Sequence, residues 1–187
     1  MSRTELVTPS PYSAKLVDRL VGIFRFDSRA FDAVRHDPPA TRQALIIVVL
    51  TGLGPVVGPG TRPSVWQMAT PLLGVGCWIM SHALMIRIGT RLLGTPAPDD
   101  GWVQLLRLLG FVPTVAIAAV VAPALPVPDV YVFALALLWG LALVMKAVRH
   151  TLGLQTAPAI ATVLLAELLE FALVLPVYFL FRSWGWA

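Results

Sequence analysis

The stretch LLAELLEFALVL, residues 164–175, decides how this chain is read. It lies inside an apolar run at 158–181, long enough for a helix that crosses a bilayer, which needs roughly 17–25 residues. Yet it carries Glu167 and Glu170. Counted from Pro158 at about 1.5 Å per residue, the two carboxyls fall roughly 13 and 18 Å along the helix. In a hydrocarbon core about 30 Å thick they straddle the middle. Facing lipid, each ionised carboxylate would cost at least ~2.5–3.5 kcal/mol. Their spacing of three puts both on one face, so that face is expected to point at other helices. Two readings stand: polar contacts that fix helix register, or a proton- or cation-responsive site. His82, toward the cytoplasmic half of the second apolar run, and Lys146, in the fourth, are the cations within reach.

Composition supports the membrane reading. The 187 residues are 57% hydrophobic and 13% charged, against about 45–50% apolar and 25% charged for soluble domains. Twelve Arg, two Lys and no Asn suggest a GC-rich, bacterial coding sequence, so the expected location is the cell (inner) membrane. The net charge of +4 accompanies hydrophobic runs, which favours an anionic membrane surface over nucleic acid as the partner. The single cysteine, Cys77, excludes an internal disulfide and a cysteine-built zinc site, and reads as a small buried hydrophobe. No cleavable signal is expected, since the first 43 residues hold seven Lys or Arg and no apolar run of signal length.

Five apolar runs give an all-α, polytopic expectation: spans at about 42–58, 65–88, 105–125, 130–148 and 158–181, forming a membrane domain over 42–187. The apolar part of the first run, 44–57, is short, and extending it to residue 42 lets Arg42 snorkel to the surface. Residues 1–41 read as a cytoplasmic amphipathic region. Leu16, Leu20, Ile23 and Phe24 share one helical face, with Lys15, Asp18, Arg19 and Arg25 assigned opposite. Asp27 or Ser28 is expected to cap a second short helix with Phe31 and Val34 on its apolar side.

Charge placement sets the orientation. With five crossings, twelve of the fourteen Lys and Arg lie on the N-terminal side, and only Arg62 and Arg182 lie opposite. Without the first crossing the division would be nine against five. The positive-inside rule favours five spans, with the N-terminus in the cytoplasm and the C-terminus outside. Lys15, Arg19, Arg25, Lys146 and Arg149 are then cytoplasmic, lipid-facing cations. Trp66, Tyr131, Trp184 and Trp186 fall near the outer interface and Trp102 near the inner one.

Pro71, Pro113 and Pro176 lie inside expected spans, where each removes a backbone donor and marks a hinge or bend. Ala136 and Gly140 allow close helix approach, within one chain or between copies in a homo-oligomer. Asp99 and Asp100 suit the N-terminus of the helix entering the third span. No Ser/His/Asp order, phosphate-binding glycine loop or metal-ligand spacing argues for an enzyme, and no cofactor or metal is expected.

The order of segments carries a resemblance. A basic stretch LVDRLVGIFRFDSRAFDAVRHDPPATRQALIIVVL is followed by DDGWVQLLRLLGFVPTV entering the third span. LLWGLALVMKAVRHTLGL then leads to APAIATVLLAE. With Gln104, Leu105, Leu106, Arg107, Leu109, Gly110, Trp139 and Arg149 in place, the chain resembles bacterial members of the Yip-domain family from about residue 16 to 175. These are five-span relatives of eukaryotic Ypt/Rab-interacting membrane proteins. The resemblance implies a membrane-embedded helical fold. The eukaryotic members are associated with Rab GTPases and vesicle traffic, and their Asp-Leu-Tyr-Gly-Pro type of motif is absent here. The expected function is a non-enzymatic scaffold or adaptor that binds a cytoplasmic protein partner or anionic membrane lipids. The alternative is a small-solute or proton-coupled transport protein that uses Glu167, Glu170 and His82.

Overall fold

A computed structural model describes residues 15–53, 65–94, 99–116 and 124–183. The described residues are helical, with no strand among them. The helices are α1 (Leu16–Phe24), α2 (Ser28–His36), α3 (Pro39–Leu53), α4 (Val65–Arg87), α5 (Gly101–Leu109), α6 (Asp129–Leu152) and α7 (Thr156–Ser183). A π-helical turn, Ile88–Leu92, extends α4, and a 3-10 turn, Val112–Ala116, follows α5.

Three of these are long and apolar enough to cross a membrane: Pro71–Leu92, Val130–Leu152 and Thr156–Val177. Their outward surface is greasy. Leu72, Leu137 and Leu168 are 79%, 73% and 64% exposed, an apolar display that only lipid solvates without penalty. These three correspond to the second, fourth and fifth expected spans. Pro39–Leu53 and Gly101–Val115 are apolar and shorter within the described residues. The third run changes form along its length. Helix α5 stops at Leu109, and Phe111 N–H donates to the Leu108 carbonyl at 3.1 Å in a tight turn. Pro113, which has no N–H and clashes with a helical carbonyl four residues earlier, then lies in the 3-10 turn. Pro71 and Pro176, by contrast, are inside continuous helices. Residues 54–64 and 117–123, with the rest of the first and third runs, lie outside the described residues. So do Arg62, Trp184, Trp186 and the side chains of Trp66 and Arg182.

The turn after Leu109 also brings helices together. A Cβ on Gly110 would stand 2.3 Å from the Ala44 Cβ of α3 and 3.1 Å from the Trp78 ring of α4. Only glycine fits that crossing. A Cβ on Gly140 of α6 would stand 3.4 Å from the Val115 side chain, an ordinary contact, so this position packs against the 3-10 turn within the chain.

The N-terminal helices form a cap. Ile23, Ala30, Phe31 and Val34 are buried in the same core as Ala44, Leu105, Leu108, Leu143 and Val148. The Asp27 carboxylate accepts the Arg29 N–H at 2.9 Å, as a cap should. Phe26 adopts φ 56°, an αL conformation that costs a non-glycine residue about 1–2 kcal/mol. The compensation is docking: the Phe26 ring meets Trp139 edge-on at 5.0 Å, and Lys146 donates to the Phe26 carbonyl.

Arg19 is the main correction to the assignment of charges. It is not lipid-facing but 1% exposed, paired with Asp37 and donating to Gln43 Oε1 at 2.7 Å. It belongs to the buried stripe with Leu16, Leu20 and Ile23 at helical spacing. Asp37 thus holds Arg19. Two further arginines tie the cap down. Arg35 donates to the His150 carbonyl at 2.6 Å, and Arg107 to the Arg35 carbonyl at 2.7 Å and Thr41 Oγ1 at 2.9 Å. Lys15, Arg25 and Arg149 remain exposed, as expected, whereas Lys146 is half-buried.

Removing one member of a buried ion pair strands the other, which typically costs about 3–5 kcal/mol. Asp37→Ala is expected to destabilise the protein by about 3 kcal/mol and to open residues 16–36 to proteolysis. The double change Arg19→Met, Asp37→Leu is expected to restore much of that loss. Thermal unfolding in detergent, with limited proteolysis, checks both.

Candidate functional site

Helix α4 supplies most of the intramembrane polar groups, and its periodicity sorts them. Gly74, Cys77 and Ser81 follow one helical row; Trp78, His82 and Met85 follow the next. The first row meets α7: Ser81 donates its hydroxyl to Glu170. The second row meets α5. His82 is fully buried, with Nδ1 against the Trp78 carbonyl and Nε2 3.2 Å from the Leu105 carbonyl. Trp78 and Trp102 flank its ring edge-on at 5.3 and 6.2 Å.

The expected polar trio is therefore divided. Glu170 is half-buried and joins α7 to α4; His82 joins α4 to α5; among the described residues no hydrogen bond or ion pair links His82 to either glutamate. Lys146 is no partner of the glutamates either, since it is committed to Phe26 and lies 5.1 Å from the Phe31 ring centre. Glu167 is exposed. It shares with Ser81 and His82 the lining of a mostly apolar cavity of about 610 Å³ between α3, α4, α6, α7 and the 3-10 turn. Val48, Phe133 and Val144 contribute apolar wall. The indole N–H of Trp78, which has no acceptor among the described residues, belongs to the same lining. Pro113 lines it too: breaking α5 there shapes the chamber.

Ser81 was not singled out by sequence reasoning, and Cys77, read there as a small buried hydrophobe, is only partly buried beside it. Their signal was present, as a polar i,i+4 pair on a span one helix away from an acidic pair. Asp100 does occupy the N-cap position of α5, but its side chain makes no cap hydrogen bond. No group of three or more His, Cys, Asp or Glu side chains able to hold a metal is found among the described residues.

This arrangement can hold helices in register, and it can present one carboxyl, one imidazole and one hydroxyl to a small molecule inside the bundle. His82→Ala removes the hydrogen-bonded link between α4 and α5 and opens a void. A loss of about 2–4 kcal/mol is expected, read by thermal unfolding in detergent. Glu167→Gln, on the open cavity, is expected to unfold within about 0.5 kcal/mol of the parent. Compared with family models, curated proteins and solved structures, the chain finds no match.

Proposed function

We propose that this chain is a five-span protein of the bacterial cell membrane, of Yip-domain type, with its N-terminus in the cytoplasm and its C-terminus outside. It acts as a non-enzymatic scaffold or adaptor whose folded cap meets a cytoplasmic protein partner or anionic lipid. In this reading α3 and the α5 segment are the first and third crossings, and the helices alternate in direction. The gathering of chain ends supports it. Gly89 at the end of α4 packs against Leu152 at the end of α6 and Thr162 near the start of α7. The cap is fastened at that same end.

The observation that carries the reading is the cap itself. A mere tether would leave its arginines in water. Here Arg19, Arg35 and Arg107 are spent on internal bonds, while Lys15, Arg25, Arg29 and Arg42 stay exposed. Val17 and Val21 of α1 are exposed as well. A rigid surface that mixes apolar and cationic groups suits a partner protein or an anionic membrane surface.

The transport alternative draws on one observation, the cavity that Glu167, Ser81 and His82 line. Proteoliposomes distinguish the two: a pH-dependent flux abolished by Glu167→Gln, Glu170→Gln favours transport, and no flux favours the scaffold. Topology comes first. A tag at the N-terminus is expected to be protected in sealed right-side-out vesicles and one at the C-terminus accessible; equal behaviour of the two overturns five crossings. A photocrosslinker at position 25 is expected to capture a cytoplasmic protein or lipid. Capture of neither counts against the adaptor.

A further inference from the structure

A second cavity, also of about 610 Å³, lies where α6 turns into α7. Its character is different. Lys146, Arg149, His150 and Ser28 form a polar wall, and Ala142, Met145 and Ile160 an apolar one. The connection is only Gly153, Leu154 and Gln155. Gly153 makes it possible with φ +64° and open space around it.

The polar wall is cationic. Two carboxylates lie nearby, and both are engaged: Asp27 accepts the Arg29 N–H, and Asp32 meets His150 Nε2 at 2.8 Å. Lys146 directs one of its three hydrogens to the Phe26 carbonyl. Arg149 is exposed and makes no hydrogen bond or ion pair among the described residues. At the start of α7, Ala159 N–H is the first to close the helical ladder, on the Gln155 carbonyl at 3.0 Å. The N–H groups of Thr156 and Ala157 precede it, so they have no helical acceptor, and Thr156 lines the cavity. A guanidinium, an ammonium, a hydroxyl and a helix N-terminus thus converge on one space, the chemistry that holds a phosphate monoanion.

The apolar wall selects among phosphates. Ile160 lies about 6 Å deeper along α7 than Thr156, and Ala142 about 10 Å deeper along α6 than Arg149. From Ile160, exposed Leu164 and Leu168 continue the same face of α7 into the span. A free phosphate would leave this track unused. A phospholipid places its head between Arg149 and Thr156 and its acyl chains along it.

We infer that the pocket at the α6–α7 turn is a binding site for the headgroup phosphate of an anionic phospholipid. The inference rests on the proposed orientation, which puts this turn in the cytoplasmic leaflet. The uncharged remainder of a phosphatidylglycerol head suits it, because a choline would bring a second cation beside Arg149 and Lys146.

Native mass spectrometry of the full chain released from detergent micelles tests this, with phosphatidylglycerol, phosphatidylcholine of the same acyl chains, and sodium phosphate as probes. Phosphatidylglycerol is expected to be retained over phosphatidylcholine, and Arg149→Gln to lower that retention about fivefold. Arg149→Lys is expected to keep most of it. Arg87→Gln, an exposed cation of α4 outside this pocket, is expected to change nothing. Met145→Trp, which fills the apolar wall but keeps every charge, is expected to lower retention as well. Equal retention of both lipids, an unaffected Arg149→Gln variant, or displacement of the lipid by millimolar phosphate overturns the site. If the site fails while the terminal tags and the position-25 crosslink behave as expected, the scaffold reading stands without it.

Discussion

Hydrocarbon offers no hydrogen bonds, so a polar group that this chain carries into the membrane needs a partner in the chain or a cavity to sit in. That constraint accounts for the arrangement along α4. Ser81 meets Glu170, and His82 meets two carbonyls on two helices. Thr51, Thr90 and Thr162 return their hydroxyls to carbonyls four residues back in their own helices. Each bond between helices also fixes a rotation and a depth, which apolar packing alone would leave loosely set.

At the basic end the constraint changes form. The cap is small and cannot bury much surface by itself; α1 and α2 have nine residues each. Its attachment relies on long cationic side chains that reach carbonyl oxygens on other elements. Arg35 crosses to the end of α6, Arg107 crosses back to α2, and Lys146 reaches the αL residue Phe26. Cations at the ends of spans therefore do two jobs here. Some stay exposed, as Arg25 and Arg149 do. Others neutralise the exposed carbonyls of helix ends, where a positive charge is also favoured by the helix dipole.

Much of this was legible in the residues, and the failures have specific causes. Apolar length located α4, α6 and α7, because lipid solvation depends on little else. The stripe of Phe31 and Val34 and the cap at Asp27 followed from spacing. Arg19 was misplaced because its charge outweighed its position; spacing from Leu16 and Ile23 alone would have put it inside. The change from α-helix to 3-10 turn within the third run was not foreseen, because hydropathy is blind to backbone geometry, and Gly110 and Pro113 lie where the change occurs. The glutamates were recognised as facing protein in part. Glu170 does, but which residue would meet it depended on the rotation of α4, and no periodicity within α7 encodes that.

The two glutamates show how three residues of spacing divide roles. Both occupy one side of α7, yet Glu170 is turned onto the Ser81 hydroxyl and Glu167 onto open space. A carboxyl that accepts a hydroxyl from the neighbouring helix is held in place, and moving it would unpair both groups at once. A carboxyl at a cavity edge has no such tether and is available to whatever enters. The chamber it borders is apolar and at membrane depth, while the pocket at the α6–α7 turn is cationic and at the helix ends. Each matches the part of a lipid that the bilayer places at its own level: hydrocarbon beside the first, phosphate beside the second. A bundle with one broken helix and one three-residue turn acquires both spaces from its backbone, before any side chain is chosen to line them.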